Sequence, residues 1–216
     1  MNVNKNVSKI FHEEFLENGA CGSFSTKIAD LAYNMVIAID EYYTKNQGKR
    51  IKQKIFETFT DSQDGLYVYD LELKQRKCKF ENEPDMLAVR YSGGIPQAIV
   101  FIEVKSTWKA CEDGTSGLTK HLDGMDHYIK ESPFLDNRKQ EAHDIISAYK
   151  VLKLHNPPKI VPDPDSLKRF EMMIILTNTA IDYYHEHEEI IQQYIREKKY
   201  NCKIMEWTDA KNGIYQ

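Results

Sequence analysis

Long apolar runs, paired cysteines and a strong charge of either sign are all missing from this chain. No apolar stretch is long enough to cross a bilayer, so no membrane partner is expected. The first residues (MNVNKNVSKIFHEEF) contain no apolar signal region, which makes the cytoplasm the expected location. The four cysteines, Cys21, Cys78, Cys111 and Cys202, form no C-x-x-C pair and no metal-ligand spacing. Reduced thiols are their simplest reading. A Walker loop, an H-E-x-x-H helix and a G-x-S-x-G turn are absent too. A net charge of −4 and a pI near 6.0 count against a tight, sequence-blind nucleic-acid binder. They leave room for an enzyme whose own metal site is acidic.

What is present fits one soluble domain. The 216 residues, 41% apolar and 29% charged, can bury a sizeable core. Residues 1–24 read as an N-terminal extension with a short helical stretch from Ser8 to Leu16, and residues 25–216 as the domain proper. Ser25 is a plausible N-cap. Ile28, Leu31, Ala32, Met35, Val36, Ile39, Tyr42 and Tyr43 then recur at helical spacing as far as Lys45 to Gly48. Lys54 to Thr60 and Leu66 to Leu73 read as strands, followed by a hairpin from Asp85 to Lys105. Helices are expected over Gly117 to Lys130, Asp136 to Leu154 and Tyr184 to Lys199. Phe170 to Leu176 and the terminal CKIMEW read as strands. That order, α-β-β-β-β-α-α-β-α-β, predicts an α/β domain with a mixed central sheet and helices on both faces.

The hairpin carries the chemistry. Ala98 to Ile102 is apolar without alternation, so both faces of that strand should be covered. Glu103 and Lys105 follow on one face, with Val104 on the other. A carboxylate and an ammonium at the end of a buried strand are costly unless paired or used. If Gly93-Gly94-Ile95 is a three-residue loop, Asp85 falls opposite Glu103, with Cβ atoms about 5 Å apart; a one-residue bulge would shift that register. Two carboxylates so close repel unless a cation joins them, and the oxygen donors suit Mg²⁺ or Mn²⁺. Glu-x-Lys occurs three times (Glu72/Lys74, Glu103/Lys105, Glu197/Lys199) and Pro-Asp three times (Asp85, Asp163, Asp165). Only Glu103/Lys105 both ends an apolar strand and follows a Pro-Asp strand.

Pro84-Asp85, then seventeen residues, then Glu103-Val104-Lys105 resembles the motif of the PD-(D/E)XK nuclease superfamily, the restriction-endonuclease-like fold. The resemblance extends from about residue 26 to 207. It implies a Mg²⁺-dependent endonuclease that hydrolyses phosphodiester bonds in DNA, for restriction, phage defence or repair. Asp85, Glu103 and the main-chain carbonyl of Val104 would bind Mg²⁺, with Mn²⁺ a substitute, and Lys105 would orient the attacking water. A homodimer or an activating partner protein fits the same picture. Two other readings stay open: a non-catalytic nuclease-like module for binding or assembly, and an effector of the same fold that cuts RNA.

Around this motif several residues invite a role. Many members add a glutamate from the first helix, for which Glu41 and Glu57 are rival candidates. RecB-like members carry Gln-x-x-x-Tyr on the next helix; here Tyr128 is present but Gly124 holds the glutamine position, a departure from that branch. Lys120, His121 and His127 on this helix could position phosphate or water, although solvent-facing residues are the plainer description. Trp108 and Cys111 lie in a polar segment (TWKACEDGTS) read as a loop, where the tryptophan could stack on a base. Basic clusters at Lys45, Lys49, Arg50, Lys52 and Lys54 and at Lys74, Arg76, Lys77 and Lys79 read either as solvated faces or as phosphate contacts. His185 and His187 stand about 200° apart around a helix and cannot share one ion.

Overall fold

The computed structural model describes residues 47–59, 65–71, 84–112, 117–131, 135–154 and 156–208. The expected helices over 8–16 and 25–45, together with Glu41, Cys21, Cys78 and the basic cluster at 74–79, lie outside the described residues. The chain divides into two compact units, Met1–Ile51 and Lys52–Gln216. The sheet and the site described below belong to the second.

Helix α1 spans Gln47–Phe59. It replaces the strand expected over Lys54 to Thr60. Ile55 and Phe56 are buried while Glu57 is exposed, a helical rather than an alternating pattern. The run of Lys, Arg, Gln and Glu around them favours helix, and it outweighs the β-branched and aromatic residues that suggested a strand.

Among the described residues five strands follow: β1 (Gly65–Leu71), β2 (Met86–Ser92), β3 (Ile95–Lys105), β4 (Arg169–Leu176) and β5 (Cys202–Glu206). They form one mixed sheet in the order β1-β2-β3-β4-β5. The first two pairings are antiparallel, and β3-β4 and β4-β5 are parallel. The parallel pairs need long crossovers. Helices α2 (Trp108–Cys111), α3 (Leu118–Glu131) and α4 (Leu135–Leu152) lie between β3 and β4, and α5 (Thr179–Lys198) lies between β4 and β5. Helix α5 ends on Lys199 in the left-handed region (φ 56°), whose N–H reaches back to the Arg196 and Ile195 carbonyls. The domain is therefore α/β, a mixed sheet flanked by helices. Among the described residues no helix is long and apolar enough to cross a membrane.

Strand β3 occupies the centre, and everything from Ala98 to Lys105 is buried. Its two faces pack separately. Ile99 and Phe101 join Leu87, Val89, Met172 and Ile174 in a core closed by Leu118, Leu122, Met125 and Tyr128 of α3, with Ala142 and Ile146 of α4. Tyr128 meets Phe101 edge-on at 5.4 Å, which makes it a core aromatic. On the other face Met86, Ala88, Val100 and Ile102 are fully buried as well. Burial of each large side chain stabilises the fold by roughly 1.5–3 kcal/mol, so the strand is anchored from both sides.

The β2-β3 hairpin departs from expectation in two ways that cancel. Its turn is the two-residue Gly93-Gly94, with Ser92 facing Ile95, not a three-residue loop. Both glycines have positive φ (59° and 75°), as a type I′ turn requires and as side-chain-bearing residues resist. A bulge then inserts one residue at Gln97: Tyr91 pairs with Pro96, but Arg90 pairs with Ala98. Beyond the bulge the register runs to Met86 opposite Ile102. Asp85 lies just outside the ladder, one residue beyond that last pair, where the same register would set it opposite Glu103.

Candidate active site

Asp85 sits immediately before β2, and Glu103 and Lys105 close β3. Glu103 is 5% and Lys105 4% exposed, a degree of burial unusual for charged side chains. Among the described residues the other copies of the motif are different; Glu72 and Lys74 lie outside the described residues. Asp163 and Asp165 are exposed in the turn before β4, and Glu197 and Lys199 are exposed at the end of α5.

Each carboxylate is gripped by cationic or N–H groups. Glu103 Oε1 lies 3.1 Å from Lys105 Nζ and 3.0 Å from His121 Nδ1. Asp85 pairs through Oδ1 with Lys52 of α1 and accepts a hydrogen bond on Oδ2 from the Val104 N–H at 2.9 Å. The end of β3 is tied to β4 in turn, because Thr177 N–H donates to the Lys105 carbonyl at 2.9 Å.

The two acids respond in opposite directions. Burial, then the neighbouring charge of Glu103, pushes the Asp85 carboxyl above the ordinary range, and Lys52 and the Val104 N–H only partly offset this. Burial also acts to raise Glu103, but the His121 ring and Lys105 overcome it and hold that carboxyl below its usual value. Positive charge is therefore ample at Glu103 and short at Asp85. A hard divalent cation between the acids would supply what Asp85 lacks, and oxygen donors are the right chemistry for it. Among the described residues no group of three or more His, Cys, Asp or Glu side chains is placed to hold a metal ion. The donors would have to be the two carboxylates and a main-chain oxygen.

Two residues enter the site that the sequence reading had placed elsewhere. His121 does not face solvent; its side chain is 14% exposed against Glu103. The spacing held a clue, since His121 is three residues after the buried Leu118 and so flanks the apolar stripe of α3. Lys52 was one of several basic residues in its cluster, and no local pattern marks it as the partner of Asp85.

Other candidates lie apart. Glu57 is exposed on α1 and bonds to Gln53, one turn away. Lys120 is exposed, and the half-exposed His127 pairs with Glu131 at 3.6 Å. The segment after Lys105 is not all loop: Thr107 caps the single turn of α2, accepting from Ala110 N–H. Within it Cys111 is buried, and burial pushes its thiol up to about 11. Trp108 is 43% exposed. His185 pairs with Glu206, while His187 bonds to the Tyr183 carbonyl, so the two rings serve different neighbours.

No protein-family model, no curated protein and no solved structure matches this chain. The functional reading stands on the site itself.

Proposed function

We propose that this protein is a Mg²⁺-dependent nuclease of restriction-endonuclease-like fold that hydrolyses phosphodiester bonds in DNA. One observation carries the reading: a hairpin whose turn and bulge compensate brings Asp85, one residue beyond the last strand pair, close enough to Glu103 for their charges to interact, with the buried Lys105 on the same strand end. A structural salt bridge needs one acid and one base. A second, part-buried carboxylate, whose ion pair with Lys52 offsets only part of its burial and of the Glu103 charge, suits a site that takes a cation.

In this reading Asp85, Glu103 and the Val104 carbonyl hold Mg²⁺, and Mn²⁺ can replace it. The bound ion supplies Lewis acidity at the phosphate under attack. Lys105 holds the attacking water with its ammonium and offers positive charge to the phosphorane as it forms. His121 fixes Glu103 from the side of α3. Val104 directs its N–H to Asp85, so only its carbonyl is left for a cation.

Purified protein incubated with supercoiled plasmid, linear duplex, single-stranded DNA and RNA, with Mg²⁺, Mn²⁺ or EDTA, tests the proposal. Metal-dependent cutting that disappears in both Asp85→Ala and Lys105→Ala is the expected result. Cutting of RNA alone would move the protein to the RNA-cutting reading. Folded protein that neither cuts nor binds metal would leave the non-catalytic module.

A further inference from the structure

Tryptophan is usually well buried, and Trp207 obeys that rule at 5% exposure. Trp108 does not, although its backbone is firmly held. Its N–H donates to Thr179 Oγ1 at 3.1 Å, and its carbonyl accepts from Glu112 N–H at 3.1 Å. Thr107 caps the same turn, accepting from Ala110 N–H at 3.3 Å. The ring is thus an exposed aromatic plane on a fixed mount. Lys109 Nζ lies over one face of the ring, 5.5 Å from its centroid, which leaves the opposite face as the one on which a base would stack.

The mount sits where a substrate of this site would pass. It follows Lys105 by three residues, so its Cα lies within about 11 Å of that of Lys105. Thr179, which braces it, opens α5 directly after β4. Turn α2 therefore spans the carboxyl ends of the parallel strands β3 and β4, the side on which open α/β sheets bind their ligands.

We infer that Trp108 and Lys109 form a platform for the nucleotide next to the scissile phosphate, Trp108 stacking on its base and Lys109 meeting its phosphate. This rests on the nuclease reading of the adjacent site and narrows the substrate. A base inside a duplex has both faces covered by its neighbours, and pulling it out requires unpairing. The substrate class is then a single strand or a duplex with unpaired bases at the cut, such as an overhang, a flap or a bubble. The aromatic plane reads no base edge, so the platform is indifferent to sequence.

Binding can be read apart from cutting. In EDTA, a thymidine 12-mer and a blunt duplex of equal length are titrated into the wild-type chain while tryptophan emission is followed. Trp207 is buried, so quenching reports on Trp108. The single strand should quench and the blunt duplex should not. Anisotropy of a labelled 12-mer should give a Kd weakened at least about fivefold in Trp108→Ala and largely restored in Trp108→Phe, which keeps an aromatic plane. Lys109→Gln should weaken binding and flatten its salt dependence. Absence of quenching, or an unchanged Kd in Trp108→Ala, would overturn the platform even if the protein proves to be a nuclease. Quenching and Trp108-dependent binding without metal-dependent cleavage of any substrate would keep the platform and remove the nuclease.

Discussion

The Val104 N–H donates to Asp85 Oδ2 over 2.9 Å, so the strand that carries Glu103 and Lys105 also aims the acid opposite them. A main-chain donor survives every substitution of its own residue except proline. The orientation of Asp85 is therefore written into the backbone of β3, while the electrostatics of the pair depend on side chains that can be changed singly.

The opposite pKa directions of the two acids predict opposite stability effects. In EDTA, Asp85→Asn should raise Tm by a few degrees, because it removes a carboxylate that burial and Glu103 both disfavour, and an amide oxygen still accepts from Val104. Glu103→Gln should lower Tm by a similar amount. A carboxyl held low in the fold stabilises it above the unfolded value, and that contribution is lost as pH falls through the folded one. Acidification should accordingly cost Glu103→Gln less than wild type. Scanning calorimetry from neutral to acid pH checks both; two shifts of equal sign would refute the division of charge.

Lys52 competes with any cation for Oδ1 of Asp85. Lys52→Met should bind Mn²⁺ about three- to tenfold more tightly, since a partly solvated like charge is removed from the approach. Isothermal titration of the two proteins at one ionic strength is the test. Equal or weaker affinity in the variant would mean that Lys52 supports the metal-binding form.

His121 acts through Glu103. His121→Ala should reduce Mn²⁺ affinity or kcat by about 10- to 100-fold, with KM for DNA unchanged, because an orienting partner is lost and no substrate contact is. His121→Gln, whose amide can still donate to Oε1, should recover part of the loss. A rise in KM alone would reassign His121 to substrate binding.

The described cysteines should be inert. Burial raises Cys111 to about 11 and Cys202 to about 12, and both are free thiols. At pH 8 only about one Cys111 in a thousand is thiolate. Peptide mapping after brief iodoacetamide treatment should find both unmodified in native protein and both labelled in denaturant. Fast native labelling of Cys111 would show that α2 opens readily.

Much of this was legible in the sequence because it rests on short-range pattern. The apolar run from Ala98 to Ile102 announced a central strand, and the apolar stripe of α3 announced a packed helix; both stand where expected, although Tyr128 shares the stripe's end with a half-buried Ile129. Glu103 and Lys105 could be assigned one face from strand alternation alone. Asp85 comes to the position expected for it through two compensating departures: Gly93-Gly94 is itself a two-residue turn signal that the expected three-residue loop overrides, while the bulge at Gln97 has no clear local signature. The α1 segment misled because Ile55, Phe56, Thr58 and Phe59 are strand-favouring one by one. Lys52 and His121 were illegible as site residues for a different reason. Their roles depend on how helices dock on the sheet, and no spacing within the chain encodes that.

The hairpin also sets an order of assembly. Asp85 and Glu103 are eighteen positions apart and meet through a tight turn, a contact of the kind that forms in microseconds. Lys105 and Thr177 are seventy-two apart and join only after three helices have crossed over. Sequence separation alone therefore favours an early approach of the two acids, ahead of the pairing of β4 that completes the burial of Glu103 and Lys105 on β3.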